Sequence, residues 1–464
     1  MNLFIFTRDL RIIDNLGLQE SLKNNKTIPI FVFTPEQITN NEYKSDNAIN
    51  FMVQSIKELE IQINKKNGKL NLFYDTHINC LDKIIKQEKI NKIFINKDYS
   101  PYAKKREQEI DKLCHKNNII FESIEDLNIL PLGTLLNKSN EAYKVFTPFF
   151  KNSKKFWKDI PNPKKLTKYN FMSKSFSNEI KLTDINKYYQ KNNILIKGGR
   201  KHGLSLLKKI ILQKDYSEKR NDLNYKTTLL SSHMKFGTIS IREVFYQFKK
   251  DLSSDNTLFS QLFWREFYLY IMNYYPKILD KQIKKKENKD FQDKFSKIKW
   301  KNNKKEFEKW KNSKTGFPIV DACMAELNNT GYMHNRGRLL ISSFLIKLCL
   351  IDWRWGEKYF ATKLIDYDPA SNNGGWQFHH GGASNADYFR ILSPISQGER
   401  FDKKAEYIKK WLPNLYNIHA KHLIDWEKYH IEYDVKNLDY VKPMFIYKER
   451  RKEALDTYKK LFNK

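Results

Sequence analysis

Residues 27–33 read TIPIFVF, a short apolar run of the length that a β-strand takes in a globular protein. Four further runs of this kind lie at Leu3–Phe6, Leu70–Tyr74, Lys92–Ile95 and Ile119–Glu122. Segments with helical periodicity separate them, at Asn47–Lys65, Cys80–Gln87 and Ala103–Lys116. Strands that alternate with helices predict a parallel, doubly wound α/β sheet for residues 1–130. No GxGxxG motif follows the first strand, so the usual dinucleotide fingerprint is absent.

The pattern changes after residue 130. Residues 131–200 carry Pro131, Pro148, Pro161 and Pro163 among lysine-rich runs, which indicates an interdomain connection along the surface. From Leu204–Lys214 onward almost every segment has helical period. We therefore predict an all-α C-terminal domain over residues 201–464, following the α/β doubly wound N-terminal domain.

The composition limits the class of protein. A chain of 464 residues favours two domains, and 84 Lys and Arg against 53 Asp and Glu give a net charge of +31. This excess suits a polyanion such as DNA, although a lysine-rich coding bias explains a solvated basic surface equally well. The four cysteines are scattered and suggest neither a metal site nor disulfides. Without a signal peptide or an apolar run of ~18 residues, we expect a soluble, cytoplasmic protein with no membrane contact.

Two clusters begin the helical half. The turn Thr227–Ser232 is rich in hydroxyl groups, which hold phosphate oxygens or cap a helix; spacing alone favours the cap. In the second cluster Gln261, Trp264 and Tyr268 share one face of a helix. An amide beside aromatic rings suits a nucleobase, and an aromatic core stripe is the commoner alternative.

Two more clusters follow. Asn335, Arg338 and Ser342 share a helical face, and a buried arginine at 338 needs an anionic partner, with Asp366 and Asp368 as the candidates. A structural ion pair explains this as well as a ligand site does. In the last cluster, the glycine pairs 374–375 and 381–382 allow close backbone approach around Trp376. Because neighbouring histidines point apart on a regular element, we expect no metal at His379 and His380.

Several motifs, taken in order, resemble the photolyase/cryptochrome family, and class I cyclobutane pyrimidine dimer photolyases most of all. They are Leu3 to Asn15 with Arg8, Asp9 and Arg11, Tyr143–Phe149, Trp310, Lys314–Ala322, Thr330–Arg336, Gly374–Gln377, Tyr388–Arg390 and Phe401–Asp402. The resemblance implies light-dependent DNA repair by electron transfer from photoexcited, reduced FAD to a flipped-out pyrimidine dimer, a carbon–carbon lyase reaction.

The resemblance also implies a FAD site in the helical domain. The positions that match its cofactor contacts are Tyr216, Thr227, Thr228, Leu230, Ser231, Arg338, Asp366, Tyr367, Asp368 and Asn372. Leu229 stands where many relatives carry arginine. Arg338 and Asp366 match an ion pair beside the flavin, and Asn372 matches the position that faces flavin N5. Trp376, Trp353 and Trp300 match the chain that carries electrons from the surface to the flavin.

The DNA-facing positions match less closely. They are Gln261, Trp264, Arg265, Tyr268, Asn335, Arg336, Phe378 and Gln397. Gln261 stands where known cyclobutane photolyases have glutamate, Phe378 replaces a tryptophan, and Leu339 replaces a methionine. These departures leave open a cryptochrome-like photoreceptor without repair, or repair of other photoproducts or of single-stranded DNA only. The short remainder after Trp411 favours repair, since it leaves no long signalling tail, and Asn335 disfavours repair of (6-4) products, whose enzymes have histidine there.

The family further implies an antenna pigment, folate or deazaflavin, in the N-terminal domain. The stretch Asp98–Arg106 lies in the region where relatives hold it, without assigned ligands. The expected partner is damaged DNA, and we expect a monomer without an obligatory protein partner.

Overall fold

The computed structural model describes residues 1–279, 297–380 and 389–462. Gly381, Gly382 and Tyr388 of the sequence motifs lie outside the described residues.

The first 124 residues form a five-stranded parallel sheet in the order β3-β2-β1-β4-β5. Its strands are β1 (Asn2–Phe6), β2 (Thr27–Phe33), β3 (Asn71–Tyr74), β4 (Lys92–Asn96) and β5 (Ile120–Ile124). The central strand β1 pairs with β2 through Leu3 opposite Ile28, and with β4 through Leu3 opposite Ile93. The order reverses at β1, which makes the sheet doubly wound and confirms the predicted α/β fold.

Apolar side chains explain why the central strands lie inside. β1 and β2 are buried at every position, because helices cover both faces of a parallel sheet. Leu3, Ile5, Ile30 and Ile95 are fully or almost fully buried in one core cluster that also includes Ile110 from the helix after β4.

The helices of the N-terminal region are Leu16–Leu22, Pro35–Ile38, Asp46–Asn64, His77–Gln87 and Pro101–Lys116. Three of them confirm the predicted helices to within three residues at either end. The helix Leu16–Leu22 was not predicted, because it is short and contains Gly17. Asn15 begins this helix by accepting a hydrogen bond from Leu18 N, and Gly17 N donates to Asn96 Oδ1 over 2.9 Å.

After β5, the regular elements of the described chain are helices, joined by irregular segments. Its α-helices are Phe146–Ser153, Arg200–Lys208, Tyr216–Lys219, Ser231–Lys235, Ile241–Asp251, Leu258–Tyr274, Lys304–Lys311, Pro318–Thr330, Asn335–Ser343, Trp353–Lys363, Pro369–His380, Pro394–Phe401, Glu406–Trp411, Ala420–Ile424, Trp426–Tyr429 and Tyr447–Phe462. Shorter 3₁₀ turns lie at Lys154–Asp159, Leu182–Tyr188, Lys209–Gln213, Pro276–Leu279, Pro413–Leu415 and His430–Glu432, and a π-helix at Phe344–Leu348. No strand follows Ile124 in the part of the chain that the structure describes, which confirms the all-α C-terminal domain.

Two compact units contain these elements. The first comprises residues 1–214, 228–276 and 365–370, and the second comprises residues 215–227, 277–364 and 371–464. The first unit therefore includes the sheet together with the helices Ile241–Asp251 and Leu258–Tyr274. The predicted domain boundaries at residues 130 and 200 stay a prediction.

Three further observations concern the described residues alone. No helix among them is long and apolar enough to cross a membrane. Within the same residues, no three His, Cys, Asp or Glu side chains are grouped so that they could hold a metal ion. All four cysteines are buried as free thiols.

Candidate active site

The hydroxyl-rich turn lies where the chain passes from the second unit into the first. In the second unit, Thr227 Oγ1 lies 2.9 Å from the hydroxyl of Tyr332. In the first unit, Leu229 has a φ of 54°, a left-handed conformation that is uncommon for a residue other than glycine. The next helix begins after Leu230, which provides no side-chain cap. Helix capping therefore does not account for the hydroxyls of this turn, contrary to what spacing favoured.

Tyr216 lies near this turn in the sequence and belongs to the second unit. It is buried, and burial raises the pKa of its phenol. Its ring lies 6.2 Å from that of Tyr225, whose hydroxyl donates to Asp215 Oδ1 over 2.8 Å. Tyr216 is thus a neutral, buried hydroxyl group held by a small aromatic cluster.

The segment Ile365–Ala370, called here the aspartate loop, is held to the α/β sheet within the first unit. Arg8 Nη2 donates to Asp368 Oδ2 over 2.5 Å, and Arg8 Nη1 lies 3.4 Å from Asp98, just after β4. The ring of Tyr367 stacks against that of Tyr43 at 6.2 Å. Arg8 therefore bridges the end of the sheet and the aspartate loop, so Asp368 has an ion-pair partner other than the predicted Arg338.

Asn372 lies in the second unit with its amide fixed by one neighbour. Its Nδ2 donates to Glu357 Oε1 over 3.0 Å and to the Glu357 backbone carbonyl over 3.3 Å. Both groups of Glu357 are acceptors, so the Asn372 atom that faces them must be the amide nitrogen. This assigns the nitrogen and the oxygen of the amide. Asn372 Oδ1 is the atom turned away from Glu357.

The predicted electron-transfer tryptophans differ in burial. Trp376 is 2 % exposed and Trp353 is 6 % exposed, whereas Trp300 is half-buried. Trp376 packs edge-on against Phe360 at 4.9 Å. It also lies over Gly356, where a β-carbon would come within 2.1 Å of its ring. Burial therefore decreases in the order Trp376, Trp353, Trp300.

One helix of the first unit carries the predicted lesion contacts Gln261, Trp264, Arg265 and Tyr268. Gln261, Trp264 and Tyr268 are half-buried, and the last two rings lie 5.6 Å apart. Arg265 is engaged within the protein, because its Nη1 donates to Leu127 O over 3.0 Å and to Glu266 Oε1 over 2.8 Å. The predicted face of three side chains thus exists, with Arg265 beside it.

Positive charge is concentrated around Arg336 in the second unit. We call this residue and its three neighbouring arginines the arginine group: Arg336, Arg220, Arg390 and Arg400. Burial, and then the three other arginines, lower the pKa of Arg336. Its guanidinium lies 4.5 Å above the ring of Phe401 and donates to Asn221 Oδ1. Its Nε is buried and has no hydrogen-bond partner among the described residues. Such a group favours an anion.

The remaining predicted contacts of the second unit differ in accessibility. Asn335 and Phe378 are exposed, whereas Gln397 is buried, and Gln397 Oε1 has no hydrogen-bond partner within the described ranges. His379 stays neutral, because burial, followed by Lys347 and two arginines, lowers its pKa to about 3.

Sequence reasoning assigned no role to several residues that the structure places at these sites. They are Arg8, Glu357, Phe146, Arg220 and Arg400. Arg8 was part of the first motif, and no periodicity links it to Asp368. The arginines stand apart in the sequence, so only the tertiary structure shows them as a group.

The parallel sheet and the helical C-terminal domain are those of a flavoprotein family. Residues 257–460 match the model of the FAD binding domain of DNA photolyase, and residues 2–164 match the model of DNA photolyase. The chain belongs to the DNA photolyase family, and FAD is the cofactor of its helical domain. The class I likeness within the family stays a prediction.

Individual relatives agree with this assignment. The chain is 33% identical to a deoxyribodipyrimidine photo-lyase of Buchnera aphidicola subsp. Acyrthosiphon pisum, over 99% of this chain and 96% of the relative. It is 30% identical to that of Escherichia coli K12, over 98% and 97%. Among solved structures, an archaeal photolyase from Sulfolobus tokodaii with two FAD molecules aligns with a TM-score of 0.87, 34% identity and coverage of 99% and 100%.

The chemistry of the donor groups fits FAD. Tyr216, Thr227, Thr228 and Ser231 offer hydroxyls of the kind that bind phosphate oxygens, and Asn372 offers an oriented amide. Asp366 and Asp368 offer acceptors on the aspartate loop.

Proposed function

We propose that this protein repairs cyclobutane pyrimidine dimers in DNA under blue or near-ultraviolet light. The observation that supports this most strongly is the match to photo-lyases over nearly the full length of both chains. FAD, once reduced and excited by light, supplies the electron-transfer chemistry that opens the cyclobutane ring.

We assign the cofactor contacts to the positions that match those of the family. They are Tyr216, Thr227, Thr228, Leu230, Ser231, Arg338, Asn372 and the aspartate loop. The hydroxyls bind phosphate oxygens, and Asn372 Oδ1 faces the flavin because Glu357 takes both Nδ2 hydrogen bonds. Arg8 holds Asp368 in place through their ion pair.

We assign DNA binding to the positive charge of the arginine group and to aromatic side chains that stack on bases. The arginine group neutralises backbone phosphates, which releases counterions and favours binding at low salt. Trp264 and Phe378 match the aromatic positions of the family and are the proposed stacking surfaces for a lesion base. Flipping a dimer costs little, since its stacking is already disturbed. Gln261 hydrogen-bonds a base, although an amide cannot supply the acidic proton of a glutamate.

Electron supply is assigned to the three tryptophans. Trp376 is buried deepest and Trp300 is the most accessible, so an electron from an external thiol enters at Trp300 and leaves from Trp376 towards the cofactor. This series restores the reduced cofactor and takes no part in the repair step itself.

A repair assay tests the function. Purified protein with reduced FAD is mixed with an oligonucleotide that contains one cyclobutane dimer, and dimers are counted after blue light or darkness. We expect light-dependent loss of dimers in duplex DNA; a single-stranded substrate and a (6-4) substrate form the other arms. Trp300→Phe serves as a matched variant, which repairs normally after chemical reduction of FAD and fails to regain the reduced cofactor by light. Intact dimers under light, with FAD reduced and DNA bound, would overturn the proposal and favour a photoreceptor.

We further propose that the α/β domain holds an antenna pigment. Arg106, in the stretch Asp98–Arg106, is buried; its Nε lacks a hydrogen-bond partner among the described residues, and its Nη2 lies 3.6 Å from Glu107 Oε1. The two FAD molecules of the Sulfolobus tokodaii structure make a flavin a third candidate beside folate and deazaflavin. The absorption spectrum of the purified protein distinguishes these pigments and checks for their presence.

We also propose that the protein acts as a monomer in the cytoplasm, without an obligatory protein partner.

A further inference from the structure

Phe146 belongs to the short helix Phe146–Ser153 of the connecting segment, and its ring lies flat on that of Trp264. The two ring centroids are 3.6 Å apart, and the ring planes differ by 9°. Phe150, one helical turn later, lies parallel to Phe146 at 5.6 Å with the same angle of 9°. Phe150, Phe146 and Trp264 therefore form one stack of parallel rings, which we call the aromatic stack.

The geometry of the pair is unusual for two side chains. Aromatic side chains prefer offset or edge-on contacts with centroids 4.5–7 Å apart. A separation of 3.6 Å with nearly parallel planes means that the rings overlap face to face. This is how a nucleobase stacks on a protein aromatic ring. Phe146 thus occupies one whole face of the Trp264 indole.

Neighbouring rings hold the pair in this position. The ring of Phe267 meets Phe146 edge-on at 5.9 Å and Trp264 edge-on at 5.7 Å. Phe149, on the same helix as Phe146, packs against Phe267 and Tyr270. These contacts hold the helix of Phe146 against the helix Leu258–Tyr274.

We propose that Phe146 is a positioning residue for lesion binding. It fixes the plane of Trp264 and covers one face of the indole, so that only the opposite face stacks on the flipped pyrimidine dimer. Without Phe146 the indole can rotate, and the lesion gains a less ordered partner. This inference rests on the proposed function, since it assigns Trp264 to the lesion.

Substitutions that separate ring shape from bulk test the proposal. Phe146→Leu keeps an apolar side chain and removes the flat ring, whereas Phe146→Tyr keeps the ring. The measurement is the Kd in the dark for a duplex with one cyclobutane dimer and for the same duplex without it. We expect Phe146→Leu to weaken binding of the dimer duplex roughly threefold to tenfold, in line with the strength of aromatic pairs, and to leave the undamaged duplex unaffected. Phe146→Tyr restores wild-type affinity for the dimer.

Two controls complete the design. Val145→Ala changes the exposed neighbour of Phe146, outside the aromatic stack, and is expected to bind as the wild type does. In a Trp264→Ala background, Phe146→Leu has no further effect, because the indole that it positions is gone. FAD content and the thermal midpoint show that each variant is folded, and Phe146→Met replaces Phe146→Leu if the latter does not fold.

Three results would overturn the inference. They are wild-type affinity of Phe146→Leu for the dimer, an equal loss for damaged and undamaged DNA, or tighter binding of the dimer, which would mean that Phe146 occupies the place of the base. A wild-type protein without preference for the dimer refutes the proposed function instead. A wild-type preference that Phe146→Leu retains undiminished refutes this inference alone.

Discussion

Glu266 and Arg265 show how burial sets the charge of single residues. Glu266 is 1 % exposed, and it accepts hydrogen bonds from Arg265 Nη1 and from Ile129 N. Burial raises the pKa of Glu266 to about 7 in spite of the neighbouring guanidinium, and burial also lowers the pKa of Arg265. For both partners, therefore, the loss of water outweighs the mutual attraction.

This shift predicts a pH dependence of stability. The folded protein keeps the Glu266 proton up to about pH 7, whereas a glutamate of ordinary pKa, 4.5, loses it earlier. The native state thus binds more protons in this window, so Glu266 lowers the free energy of unfolding as the pH rises from 4.5 to 7, by about 3 kcal/mol in all. Glu266→Gln cannot titrate. The difference between its thermal midpoint and that of the wild type should therefore increase from pH 4.5 to pH 7 and stay constant at higher pH.

Thermal unfolding at pH 5, 6, 7 and 8 checks this prediction. Glu109→Gln, at an exposed site, controls for the removal of a carboxylate. A difference between wild type and Glu266→Gln that is the same at pH 5 and pH 7 would contradict it.

At the scale of elements, one glycine decides how two helices pack. Gly356, on the helix Trp353–Lys363, lies under Trp376 of the helix Pro369–His380, and a β-carbon would come within 2.1 Å of the indole and 2.7 Å of Leu345 Cδ2. Gly375, next to Trp376 in sequence, has nothing within 4 Å of its own β-carbon position. The two glycines thus form a matched pair, one crowded and one open.

Gly356→Ala should therefore displace Trp376. We expect a loss of stability of about 1–3 kcal/mol, typical of overpacking, and slower reduction of the flavin by light, since the first tryptophan of the series has moved. Gly375→Ala should photoreduce normally and gain up to about 1 kcal/mol from its helix propensity. Thermal unfolding and illumination with a thiol donor measure both effects. Equal behaviour of the two variants would refute this account of the packing.

The elements themselves were largely predictable from local pattern. The apolar runs placed the five strands to within two residues at each end, because the inner strands of a parallel sheet are buried on both faces and are therefore mostly apolar. The helix Leu16–Leu22 was not predicted. The reason for a glycine at position 17 is the close approach of the Asn96 side chain, which lies far away in the sequence.

For the molecule as a whole, the net charge of +31 does not itself locate the DNA surface. The arginine group is the proposed phosphate contact, because burial and then the three other arginines lower the pKa of Arg336. Mutual repulsion among these side chains is relieved when phosphates bind.

Arg336→Ala should then lower the salt dependence of DNA binding. One phosphate contact fewer reduces the slope of log K against log salt by about 1, for damaged and undamaged duplex alike. Titrations between 50 mM and 200 mM salt measure the slope. Lys112→Ala, an exposed lysine on the helix Pro101–Lys116, is the control, with an expected slope equal to that of the wild type. An unchanged slope for Arg336→Ala would exclude Arg336 as a phosphate contact.

The sequence by itself determined the fold class, the family and the cofactor of this protein. Apolar periodicity is a local property, and the ordered motifs from Arg8 to Asp402 identify the family without any contact being known. The particular site residues stay predictions. The resemblance indicates which positions of the sequence match the family's site, but it does not show which side chains contact one another.

Only the tertiary structure decided which side chains meet. Arg8 and Asp368 are separated by 360 residues and form one ion pair. Phe146 belongs to the segment that was predicted as an interdomain connection, and its ring lies flat on that of Trp264. Such pairings depend on how buried helices and strands stack against one another, and the partners of a buried charge or ring are set by that packing and not by the neighbouring sequence.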